Sequence, residues 1–338
     1  MGIFAKPWLA PAGVCFADFF GLNSTVPTLP IFLLAWGSTL LAREEAVEWA
    51  RTWTGLILTT QSLAKIPGHL LWGIQCSKFG SRPIVTLVTF MNGIAFAATA
   101  VFAIGGLPLG AVAGLLAVRL CAGFCAPVVP GFCFLFDRQA PGPQLVASIG
   151  KIGGGILSGL TLGGAVIAIP FGGPSAIWIG VCLLSSAIAF LVLVPVHLAP
   201  PVLDYVVAMR KKKPEGVRTA LQSREYMSHG LTSLASGWTI CMLTAVPAVH
   251  YALFFEFSAP VIALCCASAA VVNLVTAIYV VPFLCARFCI ARCIYIGHIW
   301  QLVGMTVLAL PWANRDPIVF PVLIAIVQVN FKGRRPYP

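Results

Sequence analysis

Apolar runs long enough to cross a bilayer recur along almost the whole chain, and they constrain its fold more than any other feature. A membrane-spanning helix needs about 20 apolar residues to cross roughly 30 Å of hydrocarbon, because each residue advances it by about 1.5 Å. This requirement predicts about ten spans. They lie at 11–36, 53–75, 84–104, 108–131, 145–170, 175–196, 236–256, 259–284, 289–310 and 317–331.

The composition predicts an all-α, multi-pass integral membrane protein. Charged residues make up 9% of the 338 residues, whereas a soluble domain carries about 25% because its surface faces water. The net charge of +11 would suggest nucleic-acid binding in a soluble protein. Here the basic residues lie in short gaps between apolar runs and form no continuous patch. The predicted partner of the surface is therefore the lipid bilayer, and no nucleic acid is expected.

The distribution of Lys and Arg predicts that both termini are cytoplasmic. With the N-terminus inside, sixteen basic residues fall in cytoplasmic segments and three on the opposite side, as the positive-inside rule requires. The three are Arg43, Arg51 and Arg315. The cytoplasmic set is Lys6, Lys78, Arg82, Arg138, Lys151, Arg210, Lys211, Lys212, Lys213, Arg218, Arg224, Arg287, Arg292, Lys332, Arg334 and Arg335.

One extended polar stretch divides the chain into a six-helix bundle and a four-helix bundle. We predict a first bundle at 1–196, a cytoplasmic central loop at 197–235, and a second bundle at 236–338. The loop contains the basic run Arg210–Lys213, which we interpret as a topology determinant. Contact of this run with anionic lipid is the alternative.

Three charged residues lie well inside predicted spans, away from their ends: Asp18, Lys65 and Arg119. Charges within the bilayer are costly and commonly mark functional sites. They could form a salt bridge that only fixes helix packing, or line a cavity that binds substrate and relays a proton. A carboxylate in a low-dielectric environment favours its neutral form unless a cation lies nearby. We therefore predict that Asp18 and Arg119 couple transport to protons, with Lys65 and Gln61 in the same site.

Other reactive residues carry weaker signals. His69 and His250 lie within spans and are expected to be packed side chains rather than proton relays. Cys285, Cys289 and Cys293 recur every four residues beside Arg287 and Arg292, but no His or carboxylate joins them. No metal or other cofactor is expected, and palmitoylation is the alternative role for these cysteines. The sequence contains no paired nucleophile and base, so we do not expect an enzyme.

Two glycine-containing motifs lie in the first half. In the fifth span, the four-residue spacing of Gly155, Gly159 and Gly163 puts them on one helix face, where a neighbouring backbone can approach closely. Gly164 adjoins this set. The short segment 73–82 joins the second and third spans and contains two glycines and two basic residues.

Together these motifs resemble the major facilitator superfamily, whose members have two six-helix halves joined by a long cytoplasmic loop. Gly73, Lys78, Gly80 and Arg82 are similar to the gating-loop signature between its second and third helices, with Ser77 where the family usually has Asp. Arg119 and Gly123 resemble the Arg-x-x-x-Gly element of helix 4. The Gly155–Gly164 set resembles the helix 5 antiporter motif, with Leu160 in place of its usual Pro, and Asp18-Phe-Phe-Gly resembles the first helix of drug and monoamine exchangers.

The resemblance implies a drug/proton antiporter-like protein with a central cavity at the bilayer midplane. The family has twelve helices, so the last two are expected to be lacking in a chain with ten. The implied activity is proton-coupled exchange of a small organic solute by alternating access, by a monomer. The alternatives are a uniporter or symporter for a nutrient or organic anion, and a truncated membrane protein that does not transport.

Overall fold

The structure is a computed structural model that describes residues 6–104, 107–169, 172–204, 206–207, 246–247, 249–280, 283–284, 287–288 and 290–327. Helices account for the regular structure in these ranges, which contain no β-strand. The prediction of an all-α fold is confirmed. The helices of the first half are α1 (Leu9–Gly37), α2 (Arg43–Phe79), α3 (Ser81–Val101), α4 (Val112–Phe124), α5 (Val128–Phe136), α6 (Pro143–Ala165), α7 (Pro174–Leu191) and α8 (Leu193–Leu198).

The second half is described in part. Its helices are α9 (Ala259–Val275), α10 (Ile290–Leu308), α11 (Pro311–Arg315) and α12 (Val319–Val327), with π-helical turns at His250–Phe254 and Thr276–Val280. His250 stacks on Phe320 at a centroid distance of 4.6 Å. The central-loop run Arg210–Lys213, most of the seventh predicted span, Cys285, Cys289 and the segment after 327 lie outside the described residues.

Within the described residues, five helical segments are long and apolar enough to cross a membrane. Helix α2 is not among them because it carries several charged and polar side chains along its length. The protein is an integral, multi-pass membrane protein with several such helices. The five segments are Leu9–Gly37, Ser81–Val101, Leu109–Phe136, Pro143–Ala168 and Pro174–Leu198.

The helix boundaries differ from the sequence prediction at three places. The fourth predicted span is divided into α4 and α5 just before Val128, and the sixth is divided at Val192. Pro127 precedes α5, and proline disfavours helical conformation in the residue before it. Helix α2 begins at Arg43, inside a predicted polar gap, because its first turn carries two acidic residues that suit the positive end of the helix dipole.

Helix α1 is central to the first half and packs against α2, α5, α6 and α7. It remains helical through Pro27 and Pro30. The ring of Phe32 stacks on Trp178 of α7 at a centroid distance of 4.9 Å. The two halves meet where α6 and α1 contact α9. These contacts place the middle of α1, including Asp18, inside the bundle.

The turn between α2 and α3 depends on one glycine. Gly80 has φ 90° and ψ 153°, a backbone conformation that side-chain-bearing residues rarely adopt. It lets α3 begin at Ser81, immediately after α2 ends at Phe79. The residues at this turn are therefore held between two helix ends.

Asp316 caps α12, and this cap should depend on pH. Its Oδ1 accepts hydrogen bonds of 2.8 Å from the backbone N–H groups of Ile318 and Val319. These bonds hold the pKa of Asp316 below its ordinary value. A lowered folded-state pKa stabilises the fold above the unfolded-state pKa, and this stabilisation is lost as pH falls through the folded-state pKa. We expect the protection of the Ile318 and Val319 amides, measured against their intrinsic exchange rates at the same pH, to fall on acidification, with a weaker pH dependence in Asp316→Asn.

Candidate functional site

A buried ion pair joins α1 and α2 in the middle of the first half. Lys65 Nζ lies 3.5 Å from Asp18 Oδ2, and the two side chains are 18% and 5% exposed, respectively. The ammonium also lies 5.9 Å from the ring centroid of Phe19. Each charge stabilises the other in a region where an isolated charge would be costly. Among the charges inside predicted spans, Lys65 is thus the one that contacts Asp18.

Two further polar residues share the Lys65 face of α2. Gln61, Lys65 and His69 are spaced by four residues, so they follow one another along one side of the helix. Gln61 Oε1 and His69 Nε2 are both buried and have no hydrogen-bond partner within the described residues. This face thus presents an amide, a cation and an imidazole along about two helical turns.

Arg119 lies fully buried in α4. Its Nη2 donates a 2.8 Å hydrogen bond to Thr25 Oγ1, and its Cζ lies 5.7 Å from the ring centroid of Phe96. Nε and Nη1 have no hydrogen-bond partner among the described residues. Thr25 is seven residues beyond Asp18, or roughly 10 Å along α1. Arg119 and Lys65 therefore contact the same helix about two turns apart.

Two glycines allow α2 and α4 to cross in backbone contact. A Cβ on Gly123 would overlap the carbonyl oxygen of Gln61, and a Cβ on Gly68 would overlap that of Phe124. The indole Nε1 of Trp72 donates a 2.8 Å hydrogen bond to the same Phe124 carbonyl. The crossing fixes the position of Arg119, one turn before Gly123, relative to the polar face of α2.

The four-residue glycine pattern of α6 lies directly against α1, and we call this contact the glycine seam. A Cβ at each of its three glycines would come within 2.6 Å of an α1 carbonyl oxygen. Gly164 faces the second half, where its Cβ would lie 3.2 Å from Cys266 Cβ in α9. Asn23 Nδ2 also donates a hydrogen bond to the carbonyl of Leu160. The seam pairs are Gly155 with Ala12, Gly159 with Phe16, and Gly163 with Phe20.

The segment similar to a gating loop lies at the end of the bundle where α3 begins. Arg82 Nη2 donates hydrogen bonds of 2.6 and 3.4 Å to the carbonyls of Ala199 and Pro200, beyond α8. Ser77 Oγ donates a 2.7 Å bond to the Ile74 carbonyl of its own helix. The other members lie nearby in α2 or its end: Gly73, the exposed Lys78 and the turn residue Gly80.

Two buried charged residues that were not predicted from the sequence lie at this same end. Asp137 Oδ2 accepts hydrogen bonds from the backbone N–H of Ser81, at 3.3 Å, and from its hydroxyl. Arg138 donates to Ser81 Oγ at 3.2 Å and to the Pro200 carbonyl at 2.9 Å. A clue existed in the adjacent acid and base that directly follow an apolar run, but Arg138 was counted only as a topology signal.

The opposite end of the bundle carries an exposed ion pair between the halves. Arg43 Nη2 lies 2.8 Å from Glu256 Oε1, and both side chains are mostly exposed. Exposed pairs of this kind contribute about 0–1 kcal/mol. A cleft of about 210 Å³ adjoins the pair, between α1, α2 and the π-helical turn. This contact can therefore break and re-form at little cost.

No group of three His, Cys, Asp or Glu side chains is placed to hold a metal ion in the part of the chain that the structure describes. The polar groups on this part of α1, α2 and α4 instead include both donors and acceptors of hydrogen bonds. They comprise one carboxylate, two cations, one imidazole and one amide: Asp18, Lys65, Arg119, His69 and Gln61.

Comparison with known proteins identifies the fold. No protein-family model matches the sequence, and no curated protein sequence matches it. Among solved structures, a D-xylose–proton symporter aligns with a TM-score of 0.70 and 16% identity, over 98% of this chain and 80% of its own. The xylose transporter XylE from E. coli, in a partially occluded inward-open conformation, aligns with a TM-score of 0.68 and 18% identity, over 98% and 84%.

A third similar structure is the nucleoside transporter NupG, with a TM-score of 0.61 and 12% identity over 97% of this chain and 80% of NupG. These proteins are transporters of the major facilitator type, and they are not enzymes. At these identities the likeness establishes the fold. The chain has a major-facilitator-like helical fold.

Proposed function

We propose that this protein is a secondary active transporter that moves a small organic solute by alternating access and couples the movement to protons. The observation that carries the proposal is the buried Asp18–Lys65 pair, which joins two helices of a transporter fold at 3.5 Å. Replacing a buried ion pair by well-packed apolar side chains often costs no stability, so helix packing alone gives little reason for the pair. If α1 and α2 separate during transport, a titratable pair between them makes that separation depend on protonation.

The proposed coupling follows from the cost of an unpaired charge. With α1 and α2 in contact, Asp18 and Lys65 are charged and neutralise one another. When the helices separate, Asp18 loses its cation in a poorly solvated site and takes up a proton from the side to which the cavity is open. When Lys65 returns, the charged carboxylate is favoured again and the proton leaves. If the cavity has changed sides in between, the proton has crossed the membrane.

Arg119 supplies the second part of the proposed site. In the described part of the chain, its Nε and Nη1 donors have no hydrogen-bond partner, and a buried donor without a partner is costly. We place it, with Gln61, as a group that binds hydrogen-bond acceptors of the solute. Its contact with Thr25 on α1 puts it on the same helix as Asp18. Solute binding at Arg119 would therefore alter the position of the helix that carries the proton site.

The proposed mode is exchange of the solute for protons. The support is the glycine seam, whose sequence resembles an antiporter motif. Symport is the second candidate, because one of the similar structures is a proton symporter. The two modes differ in the sign of the proton movement that accompanies solute uptake. Uniport would give solute movement with no proton movement.

The first test is proton movement in liposomes that contain the purified full-length chain and an internal pH indicator. Pooled organic solutes are added outside, and wild type is compared with Asp18→Asn. We expect solute-dependent proton movement in wild type and a loss of about 100-fold or more in the variant, since removal of a proton-transfer group commonly costs 10²–10⁴-fold. Asp316→Asn, an acid outside the bundle, is the matched control and should behave as wild type.

Each outcome discriminates between the candidates. Alkalinisation of the lumen during solute uptake indicates exchange, and acidification indicates symport. Solute uptake that is equal in wild type and Asp18→Asn, without proton movement, would disprove proton coupling and indicate uniport. No solute or proton movement across the full pool would favour a membrane protein that does not transport.

A further inference from the structure

A groove on the lipid-facing surface of the first half lies outside the proposed transport site. It has a volume of about 470 Å³ and lies between the first turns of α3 and the end of α8. Six residues line it, and most of its wall is apolar. They are Arg82, Pro83, Thr86, Leu87, Phe90 and His197.

We propose that this groove binds one anionic phospholipid, with its phosphate beside Arg82 and His197 and an acyl chain along Leu87 and Phe90. The groove lies on two membrane-spanning segments, Ser81–Val101 and Pro174–Leu198. Arg82 begins one segment and His197 ends the other, so both lie at the same end of the bundle. Lipid surrounds this surface, and the lining residues determine which type of lipid binds in the groove.

The groove is charged at its shallow end and apolar deeper in the membrane, which matches the headgroup and the acyl chains of a phospholipid. Leu87 and Phe90 lie five and eight residues beyond Arg82, or roughly 7 and 12 Å deeper along α3. Both side chains are 45% exposed. The ring of Phe90 contacts Phe190 of α7 at a centroid distance of 5.5 Å. The cationic end therefore lies at headgroup level and the apolar wall at acyl-chain level.

The charge at the shallow end favours an anion. Arg82 carries a permanent positive charge and five N–H donors; its Nη2 donates to two carbonyls, and its Nε is buried and has no partner within the described ranges. The N-terminal end of the α3 dipole adds positive potential at Arg82. The nearby carboxylate, Asp137, is already bonded to Ser81.

The test is native mass spectrometry of the purified full-length chain titrated with phosphatidylglycerol or with phosphatidylcholine. Wild type should retain one phosphatidylglycerol and bind phosphatidylcholine at least about tenfold more weakly, because the quaternary ammonium beside the phosphate of phosphatidylcholine is repelled by the Arg82 cation. Arg82→Gln and Leu87→Trp should each weaken phosphatidylglycerol binding by a similar factor. The first removes the cation, and the second fills the apolar wall while leaving the Arg82 hydrogen bonds in place.

Arg315→Gln, an exposed arginine in the last turn of α11, is the matched control and should bind as wild type does. Equal retention of both lipids would disprove the selection by charge. Wild-type binding by both Arg82→Gln and Leu87→Trp would disprove the location. Inorganic phosphate that displaces phosphatidylglycerol would show that the site binds a free anion and would overturn the lipid assignment. Transport assays do not enter this test, so its failure leaves the proposed function standing.

Discussion

Lys65→Gln is expected to lower the free energy of unfolding by about 3–5 kcal/mol, because it leaves the Asp18 carboxylate buried without its cation. Asp18 is 5% exposed and has Lys65 as its ion-pair partner. Asp18→Asn should be destabilising for the same reason, since Lys65 then loses its anion. The double variant Asp18→Asn/Lys65→Gln should recover much of the loss, because neither charge remains. Unfolding of the purified chain in detergent micelles, followed by thermal denaturation or added denaturant, measures all three.

The exposed pair Arg43–Glu256 provides the control for this cycle. Its geometry is tighter, at 2.8 Å, but its side chains are 78% and 63% exposed. Arg43→Gln and Glu256→Gln should each change stability by no more than about 1 kcal/mol. A double variant of the buried pair that is as unstable as the sum of its singles would contradict the argument. In that case Asp18 and Lys65 would be supported separately by other groups.

The second large effect is expected for Gly159→Ala in the glycine seam. The added Cβ would lie 2.6 Å from the Phe16 carbonyl oxygen and 3.0 Å from the Phe20 nitrogen. Both are backbone atoms of α1, so neither can move aside without shifting the helix. Overpacking of this kind costs about 1–3 kcal/mol and occasionally more. We expect a lower unfolding midpoint and a lower yield of folded protein in micelles.

Gly154→Ala is the matched control, because it makes the same change in the same helix where a Cβ would meet nothing within 4 Å. Alanine has a higher helix propensity than glycine by about 1 kcal/mol. Gly154→Ala should therefore be neutral or stabilising. If the two variants lower the unfolding midpoint equally, the destabilisation would arise within α6. The close approach of α1 would then make no contribution to it.

The spans of the first half could be predicted because the bilayer imposes a length and a polarity on every helix. Apolar runs give these directly, which is why the predicted positions of α1, α3 and α6 agree with the structure to within a few residues. The internal breaks depend on local events, such as Pro127 before α5. The N-terminal turns of α2 were not predicted, because they are polar and lie outside any apolar run.

The residues of the candidate site stand out in the sequence, whereas their contacts depend on the tertiary structure. Asp18, Lys65 and Arg119 stand out because they interrupt apolar runs, whereas the pairing of Asp18 with Lys65 depends on how α1 and α2 lie in space. The close approach at Gly159 followed from its spacing alone. Asp137 and Arg138 were missed because charges at the end of a span are ordinary in sequence, and only tertiary packing shows that they are buried.

The seam has a mechanical consequence. Backbone atoms of α1 and α6 approach closely at three successive turns. We therefore expect the two helices to move together as one rigid unit. Asp18 lies in this unit between the contacts at Phe16 and Phe20. Gly164, near the C-terminal end of α6, lies close to Cys266 in the other half. Under the proposed function, a displacement that begins when a proton reaches Asp18 would pass to α9 through these close helix contacts.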